Sequence, residues 1–139
     1  MITHLYFQPD YSASSPYQRM LYRSLPDHNI APQPVGMRAL LELPARSVSG
    51  ERSVLHLHWT NPVVQRHDDP LDARRSMRAF LREVDRLRSE GAVLLWTLHN
   101  VLPHDYRHHV LELELHRSLA ERADIVHTLT PRTVELAQP

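Results

Sequence analysis

Two apolar segments on either side of a long amphipathic stretch decide which kind of fold this chain can adopt. Val54–Trp59 (VLHLHW) and Ala92–Leu98 (AVLLWTL) have the length and composition of strands. Between them, Asp69 and Pro70 open a helix that is predicted to run to about Glu90, with Gly91 just past its end. Strands that alternate with helices in this way predict a parallel sheet covered by helices on both faces.

The remaining elements continue this alternation. Further strands are predicted at Ile2–Phe7, Asn29–Val35 and Asp124–Leu129, and further helices from Ser15, at Arg38–Leu43, at His108–Ala123 and from Thr130 to about Gln138. The prolines in the second of these strands restrict it to a sheet edge. The run from Val110 to Leu115 alternates apolar and acidic residues, so a strand stays open there. Leu43–Ser53 is the segment most typical of a hinge or linker.

Two of the predicted helices carry a buried face. In the long helix this face is Met77, Phe80, Leu81, Val84 and Leu87, and in the first helix it is Tyr17, Met20, Leu21, Ser24 and Leu25. Ser15 is placed to cap the first helix, Pro16 suits its first position, and Gln18 would complete a capping box. The free backbone N–H groups of that helix start favour an anionic or hydroxyl-rich ligand nearby.

Composition excludes several classes of function. The 139 residues suit one domain and contain no cysteine, so thiolate chemistry and cysteine-ligated metals are excluded. All 16 basic residues are arginine, which leaves no lysine base, and the zero net charge argues against nucleic-acid binding. No cofactor is expected. No signal peptide is recognisable, and no apolar run approaches the roughly 20 residues of a membrane span.

Polar side chains follow three of the predicted strands. The first strand leads into Asp10, Tyr11 and Ser14, the second apolar strand into His58, Trp59 and Asn61, and the third into His99 and Asn100. The carboxyl ends of parallel strands share one edge of the sheet, where ligands bind. His99 is the main catalytic candidate, as a base or as a donor to a phosphate or sugar oxygen. The plainer alternative is a hydrogen bond from His99 to a neighbouring loop.

Other residues near that edge each allow two interpretations. His104 could bind ligand, while Asp105 could orient an imidazole or cap the next helix. His56 and His58 form an H-x-H pair that could join His99 in a metal site, but no third ligand has a diagnostic spacing, so no metal is predicted. Trp59, Tyr11 and Tyr17 could stack on a sugar ring or pack in the core.

Arginines recur every four residues along the long helix, at Arg74, Arg78, Arg82 and Arg86. Acidic residues interleave with them, which favours an ordinary solvated face. The alternative is a surface that meets anionic lipid headgroups.

The motifs together resemble a known family. The runs V-L-H-L-H-W, L-L-W-T-L-H-N-V-L-P-H-D and A-D-I-V-H-T-L-T, with the segment Ser14–Tyr22, resemble the N-terminal domain of GT-B glycosyltransferases, above all bacterial family-4-like enzymes that build polysaccharides and glycolipids. The likeness covers about Ile2 to Leu136. It implies a Rossmann-like domain on the acceptor side of a cleft, with His99 near the donor sugar and phosphates and the loop Asp10–Ser15 beside the diphosphate.

The resemblance also implies what is lacking. The loop Asp10–Ser15 has no glycine, unlike many relatives. Residues 1–139 would form only the N-terminal domain, with the donor-binding C-terminal domain absent, so we expect little transfer by this chain alone. The implied partners are a nucleotide-sugar donor, a glycan or lipid-linked acceptor and the missing second domain. The implied location is cytoplasmic, with a peripheral membrane contact at the inner face.

Two other functions stay open. One is a metal-dependent hydrolase that uses His56, His58, His99 and a carboxylate. The other is a non-catalytic module that binds a partner or glycan through an exposed apolar face.

Overall fold

The fold is α/β, with a Rossmann-like parallel sheet flanked by helices. A computed structural model describes residues 2–44, 50, 53–100 and 107–137. The strands are β1 (Thr3–Gln8), β2 (Ile30–Pro34), β3 (Val54–Leu57), β4 (Val93–Leu98) and β5 (Ile125–Thr128). The α-helices are α1 (Pro16–Tyr22), α2 (Pro70–Ser89), α3 (His109–Arg122) and α4 (Pro131–Ala137), and short 3₁₀ helices span Leu25–His28, Met37–Glu42 and Asn61–Val63. The predicted α/β class is therefore confirmed.

The five strands pair in the order β2-β1-β3-β4-β5, and every pair is parallel. This is one of the common orders of doubly wound sheets, in which the direction of strand addition reverses between β1 and β3. A crevice opens at such a reversal, outside the carboxyl ends of the strands. β2 lies at the sheet edge, as its prolines predict.

The two faces of the sheet have separate apolar cores. On the α2 and α3 face, β1, β3 and β4 contribute Tyr6, Leu55, Leu57, Leu94, Trp96 and Leu98 to the larger core. On the α1 face, Leu5 and Phe7 pack against Tyr22 in a much smaller core. The strands alternate strictly between the two, so the next residues on the α1 face are His56, Thr97 and His127. The smaller core therefore ends against polar side chains.

The long helix α2 matches its prediction. Asp69 is the N-cap and accepts hydrogen bonds from the backbone N–H groups of Leu71 (2.6 Å) and Asp72 (3.3 Å). The predicted buried stripe is buried, with Ala73 in addition. Gly91 follows the helix with φ of 102°, a left-handed conformation that favours glycine.

The first helix differs from its prediction. α1 has only seven residues, the Ser15 side chain makes no capping hydrogen bond, and the capping box with Gln18 is wrong. Its buried residues are Gln18 and Tyr22, whereas Met20 is 74% exposed. Leu21 and Leu25 of the predicted face are half-buried against the smaller core. Gln18 and Tyr22 are buried in place of Met20, because Gln18 hydrogen-bonds the preceding loop and Tyr22 reaches His56 and His58.

Smaller differences concern element types and ends. Arg38–Leu43 belongs to a 3₁₀ helix, and β3 ends at Leu57, before the polar residues that follow it. The region from His109 is helical, which excludes the alternative strand there, since Leu111, Leu115 and Leu119 are buried at helical spacing. Within the described ranges, no helix is long and apolar enough to cross a membrane.

Two of the four arginines in the stripe on α2 form ion pairs with acidic side chains. Arg74 forms an ion pair with Glu114 at 3.1 Å, and Arg86 forms ion pairs with Glu83 (3.0 Å) and Glu90 (2.8 Å). Arg78 and Arg82 are exposed. The interleaved acids therefore offset much of the positive charge, as the solvated-face interpretation predicts.

Candidate functional site

Four aromatic rings meet at the carboxyl edge of the sheet. His99, just after β4, lies against Trp59 with ring centroids 3.9 Å apart and planes 14° apart. Tyr17 of α1 meets His99 edge-on at 5.2 Å, and His58 lies 5.4 Å from His99. The side chains that trail β3 and β4 therefore form one cluster, which we call the edge cluster (Tyr17, His58, Trp59, His99).

The loop after β1 closes one side of the edge cluster. Gln18 is fully buried and holds this loop, because its Oε1 accepts from the backbone N–H of Tyr11 (2.7 Å) and its Nε2 donates to the carbonyl of Pro9 (2.8 Å). The Tyr11 ring then lies 5.2 Å from Trp59 and is 38% exposed. Neither Tyr11, Tyr17 nor Trp59 belongs to an apolar core. The sheet edge thus presents aromatic rings to solvent.

Serines and Asp10 shape the tip of the same loop. Asp10 accepts hydrogen bonds from the backbone N–H (3.0 Å) and the hydroxyl (2.6 Å) of Ser12, which lower the pKa of its carboxyl. The backbone N–H groups of Ser14 and Ser15 both donate to the carbonyl of Tyr11. These N–H groups are therefore used within the turn, which is how a loop without glycine stays compact here.

A chain of hydrogen bonds runs inward from the edge cluster. His99 Nε2 lies 3.1 Å from His58 Nδ1, and His58 Nε2 contacts the Tyr22 hydroxyl. The Tyr22 hydroxyl lies 2.9 Å from His56 Nδ1. His56 Nε2 lies 2.8 Å from Thr97 Oγ1, which lies 3.2 Å from His127 Nδ1. We call these six residues the buried chain. It leads from the sheet edge across β3 and β4 to β5.

Burial keeps three imidazoles of the buried chain neutral, those of His56, His58 and His99. Loss of solvent, with a smaller contribution from the neighbouring histidines, lowers the pKa of His56 to about 3 and that of His58 to about 2. His99 is less enclosed, and burial and then His127 lower its pKa to about 4. Burial raises the pKa of the Tyr22 phenol. At neutral pH the rings of His56, His58 and His99 are therefore uncharged and joined to their neighbours by hydrogen bonds.

The predicted asparagines lie beside His99. A small cavity of about 10 Å³ is lined by His99, Asn61 and Asn100, together with His116 of α3. The predicted residues His58, Trp59, Asn61, His99 and Asn100 therefore lie together. His104 and Asp105 lie outside the described residues.

A larger open cleft of about 450 Å³ lies at the same edge, on the side of β2. Asp10 and Arg66 give it one charge of each sign, and Val35 and Met37 give it an apolar wall. Gln8 also lines it, and the Oε1 atom of this buried side chain has no hydrogen-bond partner among the described residues. That atom is itself buried, so Asp10 and Arg66 are the polar side chains that a ligand in this cleft would contact.

The histidines do not form a metal centre in the part of the chain that the structure describes. No group of three or more His, Cys, Asp or Glu side chains is placed there to hold a metal ion. Both ring nitrogens of His56 and of His58 are engaged in hydrogen bonds instead. The geometry thus favours a hydrogen-bonded chain over the metal-dependent alternative.

Sequence reasoning missed three members of the buried chain: Tyr22, Thr97 and His127. Thr97 and His127 carry a signal, since each is a polar residue at an inward position of a strand, and they are direct partners in the register of β4 and β5. Tyr22 carries almost none, because it is not part of the apolar pattern that predicts the buried face of α1.

Together, the fold and the edge cluster define an α/β domain of the kind that binds ligands at the carboxyl edge of its sheet, where the strand order reverses. Comparisons of the chain with protein-family models, with curated proteins and with solved structures give no significant match. The assignment of a function therefore rests on the site itself.

Proposed function

We propose that this chain is the acceptor-side, N-terminal half of a GT-B glycosyltransferase, which moves a sugar from a nucleotide-sugar donor to a hydroxyl acceptor in polysaccharide or glycolipid synthesis. The observation that carries the proposal is the packing of His99 against Trp59 and Tyr17 at the switch point of the sheet. In the family that the sequence resembles, the histidine at this position reaches the reaction cleft.

The chemistry of the edge cluster suits a sugar. Tyr11, Tyr17 and Trp59 supply ring faces and edges, on which the apolar face of a pyranose packs, and His99 and Asn100 supply hydrogen-bonding groups beside them. A neutral His99 contributes directional hydrogen bonding without a net charge. The cleft beside it, with Arg66 and Asp10, would take the acceptor.

Half of a cleft is expected to be a weak catalyst. Sugar transfer depends on positioning two substrates and on stabilising the departing diphosphate, and the second Rossmann-like domain would supply most of the donor contacts. The proposed partners are therefore that second domain, a nucleotide sugar and a glycan or lipid-linked acceptor. A cytoplasmic location and a peripheral contact of Arg78 and Arg82 with anionic lipid belong to the same proposal.

The indole of Trp59 makes a direct binding test possible. Trp59 lies in the edge cluster, so its indole N–H signal in a ¹⁵N NMR spectrum reports the site, and Trp59→Phe assigns that signal against the one from Trp96. Titration with UDP-glucose, GDP-mannose and maltotriose should shift the Trp59 signal. His99→Gln should weaken this binding about tenfold, which corresponds to one hydrogen bond of about 1.4 kcal/mol.

The matched control is His28→Gln, which alters an exposed histidine outside the site. The decisive measurement is sugar transfer with a C-terminal Rossmann-like half supplied in trans. The proposal is wrong if the folded pair transfers no sugar and the Trp59 signal responds to none of the three ligands.

A binding module is the second candidate, because the edge strand β5 exposes apolar side chains. Ile125 is 54% exposed, Val126 44% and the following Leu129 48%. Exposed apolar side chains on an edge strand are typical of a surface that meets a partner. A stable dimer in light scattering, without any response to nucleotide sugars, would favour this function.

A further inference from the structure

The number of protons in the buried chain restricts which of its atoms donate hydrogen bonds and which accept them. A neutral imidazole carries one N–H and one unprotonated nitrogen, and a hydroxyl donates one hydrogen bond. His58 and His56 each use both nitrogens, and the Tyr22 hydroxyl lies between them. Because every link needs one donor and one acceptor, each imidazole passes the same direction on along these hydrogen bonds, and the direction can change only at a hydroxyl that accepts at both of its links.

Two arrangements keep one direction throughout, and a hydroxyl that accepts at both of its links gives His99 the same tautomer as the second of them, because His58 then donates to Tyr22. In the outward one, His127 donates from Nδ1 to Thr97, and the donors continue through His56, Tyr22 and His58 to His99, whose Nδ1 then carries the proton. In the inward one, His99 donates from Nε2 to His58 Nδ1, and the donors continue to His127. His99 Nδ1 is then an unprotonated acceptor.

The intrinsic preference of imidazole favours the inward arrangement. A free neutral imidazole side chain prefers the proton on Nε2. In the inward arrangement His99, His58 and His56 hold it there, and in the outward arrangement all three hold it on Nδ1, because of the atoms that their hydrogen bonds join. Three small preferences that act in the same direction add up, since the hydrogen bonds couple the rings.

We infer that Tyr22 and Thr97 are positioning residues that fix His99 as a hydrogen-bond acceptor at Nδ1, so that the group it recognises is a hydroxyl and not an anionic phosphate oxygen. Nε2 of His99 is occupied by His58, which leaves Nδ1 for a ligand. The hydroxyl part of the inference rests on the proposed function. The tautomer part does not, because it is a property of the free protein.

The tautomer can be read from the ring nitrogens of ¹⁵N-histidine in the ligand-free chain at pH 7.5, with the His99 signals assigned by His99→Gln. We expect His99 to be protonated at Nε2 and unprotonated at Nδ1. A proton on Nδ1 in the unaltered chain would overturn the inference. That result would leave the Trp59 binding test unaffected, so the two proposals fail separately.

Thr97→Val tests the coupling at a distance. It removes the acceptor of His56 Nε2, so His56 is expected to move its proton to Nδ1, Tyr22 to turn its hydroxyl towards His58, and a measurable fraction of His99 to become protonated at Nδ1. Thr97→Ser keeps the hydroxyl and should leave His99 unchanged. A His99 tautomer that is the same in both folded variants contradicts the inference.

Tyr22→Phe provides the second variant. It breaks the link between His56 and His58, and we expect a mixture of His99 tautomers. Tyr6→Phe is its control, since Tyr6 lies in the core on the opposite face of the sheet.

Titration of the unaltered chain with methyl glucoside should shift the His99 Nδ1 signal, and inorganic phosphate should not. The reverse result would show that His99 serves as a donor to anions.

Discussion

The Trp59 indole and the His99 imidazole lie almost parallel, with ring centroids 3.9 Å apart. This contact covers one face of the imidazole and contributes to the loss of solvent that lowers the pKa of His99 to about 4. Trp59→Ala should readmit water to that face and raise the pKa of His99 by about one unit, because hydration stabilises the charged form. An NMR titration of the ring protons measures it.

Tyr11→Ala is the control for that substitution, because the Tyr11 ring contacts the side of Trp59 and not His99. It should leave the pKa of His99 within a few tenths of about 4. An unchanged pKa in folded Trp59→Ala would mean that Trp59 contributes nothing to the desolvation of His99.

The buried histidines also predict how stability depends on pH. His56 and His58 have folded-state pKa values of about 3 and 2, below the 6.5 of an unfolded histidine. Between these values the unfolded chain binds more protons than the folded chain, so the free energy of unfolding falls as the pH falls below about 6.5. The slope should reach about 1.4 kcal/mol per pH unit for each histidine that stays neutral. Urea denaturation from pH 7.5 to 5 measures it.

His56→Asn separates this effect from ordinary loss of contacts. It should lower the free energy of unfolding at pH 7.5, because the Tyr22 and Thr97 hydroxyls lose a partner. It should also make the fall towards pH 5 shallower. His28→Asn, at an exposed position, is the control. A slope in His56→Asn as steep as in the unaltered chain would contradict the linkage.

Gln18 supports the loop that carries Tyr11. Gln18→Leu preserves the approximate volume of this fully buried side chain but leaves the Tyr11 N–H and the Pro9 carbonyl without their partner. We expect a loss of about 1–3 kcal/mol in the free energy of unfolding and a loosened contact between Tyr11 and Trp59. Urea denaturation measures the first effect, and the Trp59 indole signal reports the second.

Gln33→Leu is the matched control, because Gln33 is exposed on the edge strand β2. It should change the free energy of unfolding by less than about 0.5 kcal/mol. Equal effects of the two substitutions would show that Gln18 does not hold the loop.

The sequence predicts correctly those parts of the fold in which several physical signals agree. The α2 helix has a capping Asp69, a single apolar face and Gly91 at its end, and these signals agree with one another. The apolar strands β3 and β4 predicted a buried parallel sheet for the same reason. The convergence of Trp59 and His99 at one edge followed from this parallel arrangement.

The parts that sequence could not predict depend on polar side chains that find partners far along the chain. Tyr22 is buried because it reaches His56 and His58, 34 and 36 residues away. Glu112 is fully buried on α3, where Gln65 donates to its Oε2 at 3.1 Å. Periodicity weights apolar residues and counts such polar side chains as exposed, so it puts Met20 in the buried face of α1 and leaves Gln18 and Tyr22 out of it.

Two methionines test which side of α1 is buried. Met77→Ala on α2 removes a side chain that is 2% exposed in the larger core, and it should lower the free energy of unfolding by about 2–5 kcal/mol. Met20→Ala on α1 removes one that is 74% exposed, and it should change the free energy by less than about 0.5 kcal/mol. The apolar pattern alone predicts a large loss for both. Urea denaturation of the two variants measures both changes. A loss above about 2 kcal/mol for Met20→Ala would mean that Met20 lies in the core, as the apolar pattern of α1 predicts.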